Sequence, residues 1–112
     1  MRAWITLPLL CLFCGACART PPQASEDPQS VVRAWHACVV AETRRFAPRA
    51  QNIVQLAMTA DDNCRYYEER LQALMTRKPG YSRHYVQDFV AGSSRQAADL
   101  ALDAARFEFA HR

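Results

Sequence analysis

Glycine is scarce in this sequence, with three residues in a chain of 112. Only Gly80 and Gly92 lie beyond residue 16, and this scarcity excludes the glycine-rich loops that cradle phosphates and dinucleotides. Sustained alternation of apolar and polar residues, the pattern of half-buried strands, is also missing. Apolar residues instead recur three and four positions apart, which predicts an all-α fold, a small bundle of three or four helices.

The sequence carries little excess charge. Its formal net charge is +3, and most arginines stand within a turn or two of an Asp or Glu. That arrangement is typical of solvated helix faces rather than of a surface that binds nucleic acid. We therefore expect no nucleic-acid partner.

Patterns that carry catalysis are missing as well. The sequence has no P-loop, no His-Glu metalloprotease motif and no nucleophile elbow. The histidines His36, His84 and His111 have no second ligand at helical spacing, and Asp61 and Asp62 offer too few oxygens for a calcium loop. The sequence thus predicts a protein that is not an enzyme and holds no metal or cofactor. A small hydrolase or a metal carrier is the least favoured alternative.

No apolar run is long enough to cross a bilayer, which needs about 20 residues. The run from Ala3 to Phe13 follows the positive charge of Arg2 and has the length of the apolar part of a secretory signal peptide. After it, Gly15-Ala16-Cys17 resembles the lipobox of bacterial lipoproteins, in which the cysteine is acylated and becomes the first residue. Cys14 departs from that motif, which usually has an aliphatic residue there.

This resemblance covers the leader alone and implies three segments. They are a signal peptide over 1–16, a lipid-anchored flexible tether over 17–27 and a helical domain over 28–112. Cys17 is then the lipidation site, and Ala18 after it favours the outer membrane, because inner-membrane retention signals usually have Asp there. Ordinary cleavage after Ala18, which would release the protein freely into the periplasm, is the alternative.

The cysteines divide between the leader and the body. Of the five, Cys11, Cys14 and Cys17 lie in the leader or at its end, which leaves Cys38 and Cys64. Because exported proteins meet an oxidising compartment, the sequence predicts a disulfide between these two that joins helices one and two. Two buried free thiols, or half of a metal site, are the alternatives.

Capping residues and apolar spacing predict the helices. Helix one begins with Asp27 as its N-cap and Pro28 at its first position, and it ends near Phe46. Helix two runs from about residue 50 to 77, with a possible break at 61–63. Helix three begins near Ser82 and is either continuous or split at 92–94. The predicted core stripes are Val31, Val32, Trp35, Cys38, Val39 and Phe46; Ala50, Ile53, Val54, Ala57, Cys64, Tyr67, Leu71, Leu74 and Met75; and Val86, Phe89, Val90, Ala97, Leu100, Ala101, Ala104 and Phe107.

Several aromatic residues cannot all face one core. Tyr66 stands next to another tyrosine, Tyr81 and Tyr85 flank the start of helix three, and Phe109 lies off the stripe that ends at Phe107. Exposed Tyr and Phe beside Arg are typical of protein-binding surfaces. Tyr66, Tyr81, Tyr85 and Phe109 are therefore the candidate partner-binding residues.

These observations predict a non-catalytic protein-binding module that is exported to the periplasm and anchored by lipid to the outer membrane. Its partner would be another envelope protein, so that the module acts as an inhibitor, an immunity protein or an assembly factor. The alternative is a self-associating structural lipoprotein of the envelope.

Overall fold

The computed structural model describes residues 26–112, so the predicted leader, Cys17 and the tether up to residue 25 lie outside the described residues. Within this part the helices pack together without any strand, which confirms the all-α prediction with four helices. The elements are α1 (Pro28–Phe46), a 3-10 turn (Ala47–Arg49), α2 (Ile53–Asn63), α3 (Tyr66–Arg77) and α4 (Arg83–Ala110).

Helix α1 begins where the sequence predicts. The Asp27 side chain accepts a hydrogen bond from the Gln29 amide at 3.2 Å and so satisfies one of the free amides of the first turn. Pro28 follows at the first helical position, where no amide donor is needed. The helix ends at Phe46, and Pro48 stands in the 3-10 turn that follows.

Predicted helix two is split into α2 and α3. The side chain of Asn52 caps α2 by accepting from the Gln55 amide at 2.8 Å. The break falls at Cys64 and Arg65, immediately after residues 61–63, where the sequence indicated that a break could occur. Predicted helix three is continuous as α4, which Ser82 caps by accepting from the Tyr85 amide at 3.0 Å. Gly92 does not interrupt it, because a single glycine costs a helix only about 1 kcal/mol.

The helices form a three-rod bundle in which α2 and α3 together make the second rod. Helices α1 and α4 run parallel: Val32 lies beside Phe89 near one end of the bundle, and Arg44 approaches Glu108 to 4.0 Å near the other. Helices α2 and α3 run antiparallel to both. The buried core consists of Val31, Val32, Trp35, Val39, Ala47, Leu56, Ala57, Ala60, Cys64, Leu71, Leu74, Met75, Val86, Val90, Ala97, Ala101 and Ala105. All of these core residues lie within 31–105.

The Cys38–Cys64 disulfide is present and links α1 to the C-terminal end of α2, with the two Cα atoms 6.0 Å apart. The chain rises about 12 Å from Cys38 to Phe46 and about 17 Å from Ile53 to Cys64, at 1.5 Å per helical residue. Although these two lengths differ, the cysteines still meet, because the 3-10 turn and the extended backbone of Ala50 and Asn52 lengthen the connection between the two helices.

The predicted burial of Val54 is wrong. Val54 is 61% exposed, whereas Leu56 is fully buried. Leu56 lies three residues after Ile53 and so on the same face of α2, which packs against the core. Val54 lies one residue after Ile53, a rotation of about 100° around the helix, and so points away from that face. Thr43, which is not among the predicted core residues, is fully buried as well, and its hydroxyl donates to the Val39 carbonyl at 2.8 Å.

The predicted exposures of Phe107 and Phe109 are interchanged. Phe109 packs against the core, whereas Phe107 is 58% exposed. The reason is the four-residue spacing of the small core residues Ala97, Ala101 and Ala105 on α4. Phe109 continues that row along the same face, and Phe107, two residues after Ala105, points about 200° away from it.

Candidate binding site

The four predicted partner-binding residues do not converge on one surface. Tyr81 and Tyr85 lie together at the α3–α4 turn, where their rings stack with centroids 5.3 Å apart. Tyr66 begins α3, about 17 Å along the helix from that turn, at 1.5 Å per residue. Phe109 lies near the far end of α4, about 36 Å from Tyr85 by the same rise. A single surface formed by all four is therefore excluded.

Tyr66 is exposed and packs against its neighbour. Its ring lies 4.1 Å from that of Tyr67, and 53% of the residue is accessible to solvent. Hydrogen bonding with the Tyr67 side chain, followed by desolvation, raises the pKa of Tyr66 above its ordinary value of 10.0. Its hydroxyl is therefore protonated at neutral pH.

Phe109 contacts other parts of the domain and so contributes to its packing. The guanidinium of Arg112 lies 3.7 Å from the centre of its ring. The same guanidinium donates to the Ala50 carbonyl at 2.8 Å and to the Ala47 carbonyl. Phe109 and Arg112 thus fasten the end of α4 to the connection between α1 and α2, and this leaves little of Phe109 for a partner.

An apolar groove that the sequence did not reveal runs between α2 and α4. Val54 and Met58, each 61% exposed, form one wall, and Leu102 and Ala98 of α4 form the other. Ala57 lies at its base, and the groove encloses about 260 Å³. Val54 and Met58 are four residues apart, so the sequence did contain a second apolar row on this helix. Only the packing shows that this row stays uncovered.

An acidic residue closes one end of the α2–α4 groove. Asp61 lies in its lining, and burial of the carboxyl raises its pKa above the ordinary value of 3.8. The nearby Arg65 opposes this shift and Asp62 adds to it. Arg65 pairs directly with Asp62, at 2.8 Å, and not with Asp61. The carboxylate of Asp61 is thus available to a cation that enters the groove.

Replacing Asp61 with asparagine is expected to raise the free energy of unfolding at pH 7 by about 0.5 kcal/mol, because an anion in the last turn of a helix opposes the helix dipole. The raised pKa of Asp61 also indicates that its ionised carboxylate destabilises the folded state at pH 7. Because the folded state holds this proton more tightly, the contribution of Asp61 to stability is present below about pH 3.8 and is lost as the pH rises through the raised pKa.

Urea unfolding of Asp61→Asn at pH 7 and at about pH 3 measures this difference, which should vanish at the lower pH. Asp62→Asn is the matched control, since it removes a carboxylate from the same turn but also removes the partner of Arg65. A gain for Asp61→Asn that persists undiminished at low pH would contradict the assignment.

Within residues 26–112 no group of three or more His, Cys, Asp or Glu side chains is placed to hold a metal ion. His84 approaches Asp88 to 3.2 Å, but both side chains are exposed neighbours on one helix turn. Trp35 Nε1, His36 Nε2 and Glu42 Oε2 are buried without a hydrogen-bond partner in this part of the chain.

No family model matches the chain, and no curated protein or solved structure matches it. None of the helices described for residues 26–112 combines the length and the apolar character that a membrane span requires.

Proposed function

We propose that this protein is an exported, lipid-anchored and non-catalytic binding module of the bacterial envelope. Its α2–α4 groove takes an apolar segment of another envelope protein, and Asp61 takes a cation on that segment. The module would act as an inhibitor, an immunity protein or an assembly factor. The uncovered apolar groove is the observation that carries this proposal.

The make-up of the groove supports a protein ligand. Val54 and Met58 each leave most of their surface in water, although the helix that bears them packs into the core. Methionine is flexible and polarizable and is common at surfaces that accept apolar partner residues. Enclosed pockets for drug-sized molecules measure about 300–1,000 Å³, whereas this groove is open and holds about 260 Å³. Its shape thus favours a few side chains of a partner segment over a small molecule.

The position of Asp61 supports a partner with a positive charge. A partly desolvated carboxylate gains more from a cation than an exposed one does, because the surrounding medium screens the pair less. An apolar segment that carries Lys or Arg at one end would match both parts of the groove.

The rest of the domain supports a rigid presentation of this surface. The disulfide fixes α2 to α1 next to Asp61, and α4 passes the groove as one uninterrupted helix. Because the helices that form the groove are already ordered, binding of a partner costs less conformational entropy than it would at a flexible surface. The predicted anchor at Cys17 would confine the module to the membrane on which its partner lies.

Photo-crosslinking in the living envelope tests this proposal. A photoreactive phenylalanine derivative at position 58 of the full chain should give one discrete product with a second protein. The double variant Val54→Asp/Met58→Lys should abolish the product when the crosslinker stands at position 98 instead. This pair leaves the net charge unchanged, and Asp suits the first turn of α2 while Lys faces the acids of its last turn.

Phe107→Lys is the matched control, because Phe107 is an equally exposed apolar residue on a different face of α4. It should leave the product intact. A product that consists of two copies of this chain, together with a monomer–dimer equilibrium on sizing at several concentrations, would replace this proposal with the self-associating alternative. The absence of any product from positions 58 and 98 would refute a protein ligand at the groove.

A further inference from the structure

The turn between α3 and α4 combines cations and tyrosines in a segment whose own sequence contains no acid. The turn between α3 and α4, with its flanking residues 77–85, reads RKPGYSRHY. Gly80 adopts a φ of 99°, which favours glycine and turns the chain sharply at this tip. Tyr81 is 39% and Tyr85 48% exposed. We call residues 77–85 the basic tip.

The cations of the basic tip are not neutralised within the domain. Arg77, Lys78 and Arg83 form no ion pair with any carboxylate among the described residues. The ammonium of Lys78 donates to a backbone carbonyl, that of Glu26, at 3.2 Å, and so keeps its net charge. These three cations are therefore unpaired, although Glu26, which pairs with Arg70, and Asp27 lie at the same end of the bundle.

The opposite tip has a similar sequence but a different charge environment. Residues 44–52 read RRFAPRAQN, also with three cations and no acid. There, however, Arg44 faces Glu108 at 4.0 Å, and Arg45 faces Glu42 at 3.6 Å. Arg49 alone is left without a described carboxylate. The two segments thus carry equal numbers of Lys and Arg, and only the fold shows which of these cations meet a carboxylate.

The chain enters the domain beside the basic tip. Glu26, the first described residue, pairs with Arg70 and accepts from Lys78 through its carbonyl. The nine residues from Cys17 to Glu26 would span about 17 Å as a flexible chain. Helix α4 is about 42 Å long, at 1.5 Å per residue. An anchor at Cys17 therefore brings the basic tip, and not the opposite tip, to the membrane.

We propose that the basic tip is a membrane-docking surface that binds anionic phospholipid headgroups. Each Lys or Arg close to an anionic leaflet strengthens binding about fivefold, which corresponds to about 1 kcal/mol. The stacked Tyr81 and Tyr85 have the amphipathic character of residues that settle at the headgroup level. The orientation rests on the proposed anchoring at Cys17, but the affinity of the tip for lipid does not. Docked in this way, the domain would stand on the bilayer with the α2–α4 groove held away from it, since Val54 lies towards the opposite tip.

Vesicle co-sedimentation of the mature chain 17–112 with Cys17→Ser tests the proposal without an acyl chain. This chain retains every core residue found within 26–112. We expect binding to vesicles of phosphatidylcholine mixed with an equal part of phosphatidylglycerol, and little binding to phosphatidylcholine alone. The triple variant Arg77→Gln/Lys78→Gln/Arg83→Gln should weaken this binding by roughly a hundredfold, given about fivefold for each of the three cations. Added salt should weaken it as well.

The triple variant Arg44→Gln/Arg45→Gln/Arg49→Gln is the matched control. It removes the same charge from the opposite tip and should bind nearly as well as the parent chain. Equal losses in the two variants would show that net charge alone drives adsorption, and would overturn the proposal. Equal binding to both kinds of vesicle would overturn it too.

An environment-sensitive fluorophore gives a second, independent measurement. Attached at His84→Cys, it should shift to the blue on addition of the anionic vesicles, and at Arg49→Cys it should not. Shifts at both positions would contradict docking through the basic tip. Crosslinking at position 58 reports on the α2–α4 groove and not on this tip, so failure of one proposal is distinguishable from failure of the other.

Discussion

Replacing both Cys38 and Cys64 with alanine is expected to lower the free energy of unfolding by about 3.5 kcal/mol, because the disulfide removes loop-closure entropy from the unfolded chain. The two cysteines are 26 residues apart in sequence, so a long segment gains freedom when the bond is lost. A domain of this size has only about 5–15 kcal/mol of stability in total. The loss would thus be a large fraction of the whole.

Thermal unfolding of chain 17–112 carrying Cys17→Ser measures this effect. Because 1 kcal/mol shifts the melting temperature of a small domain by about 4–8 °C, we expect a decrease of roughly 15–25 °C. Reduction of the same chain that retains Cys38 and Cys64 should produce a similar decrease without any substitution. The alanine double variant serves as the control for reductant, since reduction should not change it further. An unchanged melting temperature on reduction would refute a stabilising disulfide.

Leu56→Ala is expected to destabilise the domain by about 3 kcal/mol, because it leaves a cavity in a core that closes only partly around it. Leu56 is fully buried and lies in α2, the helix that also forms the groove. The loss should lower the urea concentration at the midpoint of unfolding without changing the slope m of the transition.

Val54→Ala is the matched control in the same helix. It removes apolar atoms from a residue that is 61% exposed, and alanine is the better helix former, so its effect should lie within about 0.5 kcal/mol of zero. The pair therefore measures which face of α2 is buried. If Val54→Ala proved as destabilising as Leu56→Ala, then α2 could not present Leu56 to the core and Val54 to solvent.

The sequence alone determined the features that depend on near neighbours in the chain. Asp27 and Pro28 define the start of α1, and the spacing of Val31, Trp35 and Val39 defines its buried face. These signals are local because a cap and its amide, or two residues one turn apart, are fixed by the geometry of a single helix. The Cys38–Cys64 pair followed from counting, once the leader was taken to hold the other cysteines.

The sequence could not determine where two helices fail to cover each other. Val54 and Met58 have the same helical spacing as buried residues, and only the position of α4 leaves them exposed. Likewise, RKPGYSRHY and RRFAPRAQN carry equal numbers of Lys and Arg. Whether a cation meets a carboxylate depends on which helix ends the fold brings together, as it brings Arg44 to Glu108 across the bundle. Burial and charge pairing between distant segments are properties of packing, and so the groove and the basic tip became visible only in the tertiary structure.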